Sequence, residues 1–287
     1  MSGIARVGIA GWQYPPWRGE FYPKGIPQRE ELAYAAGHLD SIEINGTFYS
    51  LQKPASFLRW RAETASDFVF SVKGGKHITH VQRLAGGIVP VANFFGSGVL
   101  ALQEKLGPIL WQLPPYLPFL PERLDAFLAL LPHTTGEAKR MVEEHGTLDS
   151  DRVWLDGPDD QPIRHALEVR HDSYLAPAFA EMLKARNVAA VVADTAGRWP
   201  RIREVTSDFL YLRLHGDREL YVSGYDDAAI DDWAAAIRGW LSGETCPDEI
   251  GRDVFVYFDN DTKVRAPFDA MSLRKKLGFS AQDPRRV

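Results

Sequence analysis

Two carboxylates, Glu43 and Glu168, sit inside short apolar runs, "SIEIN" and "ALEVR", where charge is costly. In an extended chain alternate side chains share a face. Glu43 therefore shares a face with Asn45, and Glu168 with Arg170, while Ile42, Ile44, Leu167 and Val169 take the opposite one. The alternation recurs: Ser71 and Lys73 oppose Phe70 and Val72, and Arg213 and His215 oppose Leu212 and Leu214. Gln112, Asp194 and the pair Asp259–Asn260 close three further runs. Acids and bases held this way must pair with each other or with a ligand, because burying either alone is expensive. As a ligand site they predict proton transfer by Glu43, Glu168 and His215, with Lys73, Arg170 and Arg213 gripping an anion. Asn45, Gln112, Asp194, Asp259 and Asn260 would complete the substrate contacts. The alternative is a self-satisfied polar plug. The two signs nearly balance, so some cations are internal partners under either reading.

Other chemistries are less well supported. His215, Glu43, Glu168 and Asp194 could ligate a divalent ion, but only His215 closes a strand and no H-x-x-x-H or H-E-x-x-H spacing occurs. No cofactor is expected, with a divalent metal as the alternative. G-x-S-x-G is absent, and Cys246 precedes a proline far from any strand end. Paired carboxylates are also the glycoside-hydrolysis arrangement, but their separation is not legible in a sequence. The "KGGKHITH" loop supplies glycines that let backbone N–H groups approach an anion. Among the aromatics after the first two strands, Trp12 and Tyr14 are expected as ligand-facing walls. The others read as packing or as a lid.

The elements that must carry these residues form a repeat. Eight strand-like runs begin at Ala5, Ser41, Asp67, Pro108, Arg164, Val188, Asp208 and Asp253, most followed by an amphipathic segment. Eight βα units in a chain of 287 residues predict a (β/α)₈ TIM-barrel-like domain rather than a doubly wound sheet, which would show a Gly-rich phosphate turn after its first strand. Two units depart. The stretch between Asp194 and Asp208 is too short and Pro-marked for a helix. The stretch at about residues 133–163, after strand four, reads as an insertion with one extra helix. The chain reads as a single domain. In such a barrel polar residues at the carboxyl ends of strands are where sites form.

Bulk properties narrow the classes. A net charge of -5 does not imply binding of nucleic acid through a broad basic surface, although a local basic mouth is compatible with it. One cysteine excludes an intrachain disulfide and fits a cytoplasmic setting. No leader-like N-terminus or membrane-length apolar run is seen, so no membrane partner is expected.

Several blocks, in order, resemble the YecE-like (DUF72) family: "GIAGWQYPPWRGEFYP", "SIEINGTFYSL", "FVFSVKGGKHITH", "LGPILWQLPP", "HALEVRHDSY", "FLYLRLHG" and "VFVYFDN". The resemblance spans nearly the whole chain and departs at Tyr174, often Trp in the family, and at Gly46, often Ser. It implies a (β/α)₈-type barrel and carries no activity with it. The expectation is an enzyme acting on a small anionic or sugar-like substrate. The alternatives are nucleic-acid binding or processing at the same mouth, and a scaffold without a ligand.

Overall fold

The computed structural model describes residues 3–278. Its elements are β1 (Ala5–Ala10), α1 (Glu31–Ala36), β2 (Ser41–Ile44), α2 (Gly46–Tyr49), α3 (Pro54–Ala62), β3 (Val69–Lys73), α4 (Ile88–Gly96), β4 (Leu106–Gln112) and α5 (Pro121–Leu128). They continue with α6 (Thr135–His145), β5 (His165–Glu168), α7 (Pro177–Ala185), β6 (Val188–Asp194), β7 (Phe209–Leu214), α8 (Asp227–Ser242), β8 (Asp253–Phe258) and α9 (Ala266–Lys276). The strands follow one another in chain order around a closed barrel, the expected TIM-barrel-like fold. Two compact units are formed, Met1–Glu43 with Ala189–Val287, and Ile44–Val188.

In the first unit the register places Arg213 beside Tyr257 and Ala193, Tyr211 beside Phe255 and Val191, and Ala10 beside Glu43. The opposite parity is apolar. Val7, Ile9, Ile42, Leu212, Val254 and Val256 are fully buried there, with α9 packed on β1 and β8 and α8 on β8. A Cβ on Gly8 of β1 would collide with the Ser41 carbonyl of β2.

In the second unit Lys73 stands beside Leu110, Leu110 beside Ala166, and Gln112 beside Glu168. Trp111 takes the opposite parity and packs on Phe94 of α4 and Phe127 of α5, with ring centroids 5.4 and 5.3 Å away. A Cβ at Gly74 would enter the Trp111 ring, so the first glycine of "KGGK" is a packing requirement. The insertion helix α6 opens with a capping box between Thr134 and Glu137 and packs on α4.

The expected elements are present with shifted ends. The run that begins at Ser41 leaves the sheet after Ile44 and turns into the short α2. The amphipathic segment after β3 is broken at Gly98, whose φ of 111° and contact with Pro54 no other residue would tolerate. No helix lies between β6 and β7 among the described residues, so that unit is degenerate as expected.

His165 on β5 is fully buried among the helix-side groups. Its Nδ1 accepts from Trp111 Nε1 at 3.2 Å and its Nε2 donates to the Pro132 carbonyl at 2.8 Å. Burial pushes its pKa down to about 3. A base whose folded pKa lies below its unfolded value of about 6.5 gives stability that is complete above that value and lost as pH falls toward the folded one. Urea unfolding is therefore expected to weaken between about pH 6.5 and 5, with His165 contributing about 1.4 kcal/mol per pH unit. The difference in slope between the native protein and His165→Gln should equal one proton. Identical slopes would contradict the assignment.

Candidate functional site

The polar strand ends form a cluster within each unit. In the first, Arg213 has no exposed surface and its guanidinium grips Glu43, with Nε 3.0 Å from Oε2 and Nη2 2.9 Å from Oε1. Nη2 also donates to Asp259 Oδ2 at 2.8 Å. Tyr211, two residues back on the same face of β7, donates its hydroxyl to Glu43 Oε2 at 2.7 Å. Burial and the Glu43 charge hold the Tyr211 phenol well above its ordinary pKa, so it remains a donor. His215 follows the strand, with Nδ1 3.1 Å from Asp259 Oδ2 and Nε2 3.5 Å from Arg213 Nη1. Beyond β8, burial and then the Asp259 charge raise Asp261 to about 6.

The remaining candidates of this unit are tied to loops. Asp194 is in register with Leu214 rather than Arg213, and its carboxylate accepts from Arg201 and from the Tyr225 hydroxyl. Asn260 donates to the Ser223 carbonyl and to Asp269 Oδ2, at 3.0 and 2.8 Å. Trp12 is buried, and its carbonyl accepts from the Tyr22 hydroxyl. Tyr14 reaches back to the Ala10 carbonyl and packs on Trp17, with ring centroids 4.6 Å apart. Trp199 and Tyr221, neither of them a sequence candidate, set their rings against His215 at 6.5 and 5.3 Å.

In the second unit Lys73, Gln112 and Glu168 end the three adjacent strands β3, β4 and β5. Glu168 is fully buried and its Oε1 accepts from Arg170 Nε at 2.8 Å. Lys73 Nζ lies 4.6 Å from the Phe48 ring centroid, and the Lys73 carbonyl accepts from Thr47 Oγ1. Gln112 turns its Nε2 to the Leu113 carbonyl. Asn45, just past β2, has a buried Oδ1 without a hydrogen-bond partner among the described residues. The sequence placed His80 merely on a loop. Its ring makes a T-shaped contact with Phe48, 5.0 Å between centroids. Its pKa falls to about 4, first through burial and then through Lys73, Arg170 and Lys76, against the opposing charge of Glu168.

Of the expected set, then, Glu43, Arg213, His215 and Asp259 form one bonded network, and Lys73, Gln112, Glu168 and Arg170 form another row. Among the described residues no group of three or more His, Cys, Asp or Glu side chains is arranged to hold a metal ion. No helix is long and apolar enough to cross a membrane.

A family model described as "Protein of unknown function DUF72" matches residues 6–286. The chain belongs to the DUF72 family. It is 27% identical to the UPF0759 protein YecE of Escherichia coli over 196 residues, 68% of this chain and 67% of that one. It is 24% identical to the UPF0759 protein YunF of Bacillus subtilis across 98% of both chains. A crystal structure of a DUF72 family protein from Thermotoga maritima superposes with a TM-score of 0.73 at 22% identity, covering 96% of this chain and 99% of that one. One from Enterococcus faecalis gives 0.71 at 18%, covering 96% of each. These two neighbours share the DUF72 barrel.

In this DUF72 chain Arg213 already serves two carboxylates, so the first cluster holds itself together. Arg213→Met would leave Glu43 and Asp259 without their shared cation and is expected to cost about 3–5 kcal/mol in urea unfolding. Tyr211→Phe, which removes one of three donors to Glu43, is expected to cost about 1 kcal/mol. Equal effects from the two substitutions would contradict the network.

Proposed function

We propose that this protein is an enzyme acting on a small anionic substrate of sugar-phosphate-like character, bound at the carboxyl ends of β3, β4 and β5. Lys73 and Arg170 would hold the anionic group, and Gln112 and Asn45 would take hydroxyls. Glu168 would transfer the proton. The observation that carries this reading is the placing of Lys73, Gln112 and Glu168 at the ends of three adjacent strands, with Arg170 bonded to the Glu168 carboxylate. The positions support it too, since polar groups converging at strand carboxyl ends are the usual place for barrel chemistry. The orphan Asn45 Oδ1 is an acceptor that a ligand hydroxyl would satisfy. Glu43, fixed by Arg213 and Tyr211, is assigned to positioning rather than proton transfer. The reading requires no cofactor. A cytoplasmic setting fits Cys246, a buried free thiol.

A second reading, binding or processing of nucleic acid, is favoured by the exposed rings of Tyr49 and Tyr116, with the Arg83 guanidinium 5.3 Å from the centroid of Tyr116. Salt separates the two. A small ligand held at one anionic group gives a shallow dependence on salt, whereas an oligonucleotide gives a slope set by several phosphates.

Thermal-shift titration with a panel of sugar phosphates, neutral sugars and short oligonucleotides, each at two salt concentrations, is the check. At least one sugar phosphate is expected to stabilise the protein. Lys73→Met should weaken that binding about tenfold, equivalent to about 1.4 kcal/mol. Glu168→Gln should retain binding and lose turnover of the same compound. Binding confined to oligonucleotides, or unaffected by Lys73→Met, would refute the small-anion reading.

A further inference from the structure

His80 lies in a single π-helical turn, His77–Val81, that follows the "KGGK" loop. Such turns cost backbone regularity and recur at functional sites. Two neighbours fix the imidazole. Its Nδ1 is 2.9 Å from Oγ1 of Thr79, a fully buried residue, and its ring makes a T-shaped contact with Phe48. Phe48 also lies under the Lys73 ammonium, so one ring seats both groups. The backbone is tied as well, since the His80 carbonyl accepts from the Tyr116 hydroxyl at 3.4 Å. Nε2 makes no hydrogen bond to any described residue. The charged groups acting on the ring are Lys73 on β3, Lys76 on its own loop, and Arg170 and Glu168 at the end of β5.

Resting on the small-anion reading above, we propose that His80 is a proton-coupled member of that site: it stays neutral while the site is empty and takes up a proton when an anion binds at Lys73 and Arg170, becoming a further donor to the ligand. The physical cause is reciprocal. Burial comes first in keeping the imidazole neutral; the cations that attract the anion add to it by repelling the imidazole proton, and an anion that screens them removes that added repulsion. Anion binding and proton binding at His80 therefore favour each other, as any two linked equilibria must. A substrate gripped this way arrives with a proton positioned beside it, which is what a general acid requires.

Sulfate is the suitable probe, because its charge is constant over the range where histidine titrates. The full-length protein is titrated by NMR of the imidazole signals with and without saturating sulfate, and the His80 signal is identified as the one lost in His80→Gln. Sulfate is expected to raise the His80 midpoint by at least about one pH unit, from near 4. Its affinity should strengthen as pH falls from 6 toward 4, by up to about tenfold per unit for one coupled proton. In His80→Gln sulfate should still bind, with a flatter pH dependence. If sulfate binds in a Lys73-dependent manner but the His80 midpoint stays fixed, or the slope survives in His80→Gln, the coupling is overturned and the small-anion reading stands. If sulfate binding is absent, or is the same in Lys73→Met, both fall.

Discussion

A charge buried in a strand has to be matched, and in this protein the match decides what each strand end can do. Arg213 shows the constraint in its strictest form. With no contact with solvent, it must be satisfied by protein, and Glu43, Asp259 and Tyr211 complete its surroundings or those of its partner. The network spans β2, β7 and the exit of β8, so it also pins their register: sliding β7 by one residue would send Arg213 into the apolar layer occupied by Leu212 and Leu214. Such a network costs desolvation and repays it only when every member is present. That makes it a device for holding strands, with little left to offer a ligand.

The row on β3 to β5 meets the same constraint differently. Glu168 is fully buried and takes Arg170, while Lys73 is steadied by an aromatic face and Thr47 holds its backbone. Aromatic support stabilises an ammonium without cancelling its charge, and His80, whose basicity is lowered first by burial and then by Lys73, Arg170 and Lys76, packs on the same Phe48 ring. The clusters thus differ in what surrounds their cations: Arg213 meets two carboxylates, while Arg170 meets Glu168 and Lys73 lies over the Phe48 ring.

Much of this was legible in the sequence because strands repeat every two residues. Glu43 opposite Ile42, Arg213 opposite Leu212 and Glu168 opposite Leu167 are readable as polar-in, apolar-out without any coordinates. The missing helix after Asp194 and the inserted helix after strand four followed from segment length and proline placement. Partner identity was not legible, since whether Arg213 meets Glu43 or Glu168 depends on closure of the sheet. Tyr211 was not singled out, although its spacing of two from Arg213 marks it as facing the same way. Asp261, two residues after Asp259, carried the same unread signal. His80 had none to give: it lies in an irregular turn where no period applies, and its importance comes from Phe48 and Lys73 arriving from other elements. Asp194 and Asn260 show the reverse error. Each closes a strand, but their partners come from the loops that follow β6, β7 and β8, so proximity to a strand end did not predict the direction of the side chain.

The most direct measurement of the central claim is a crystal of this protein grown in selenate, with anomalous scattering used to locate the anion. The account predicts a peak within hydrogen-bonding distance of Lys73 Nζ and the Arg170 guanidinium, and none beside Arg213, whose Nε and Nη2 already donate to carboxylates. A peak at Arg213 with none at Lys73 and Arg170 would contradict it.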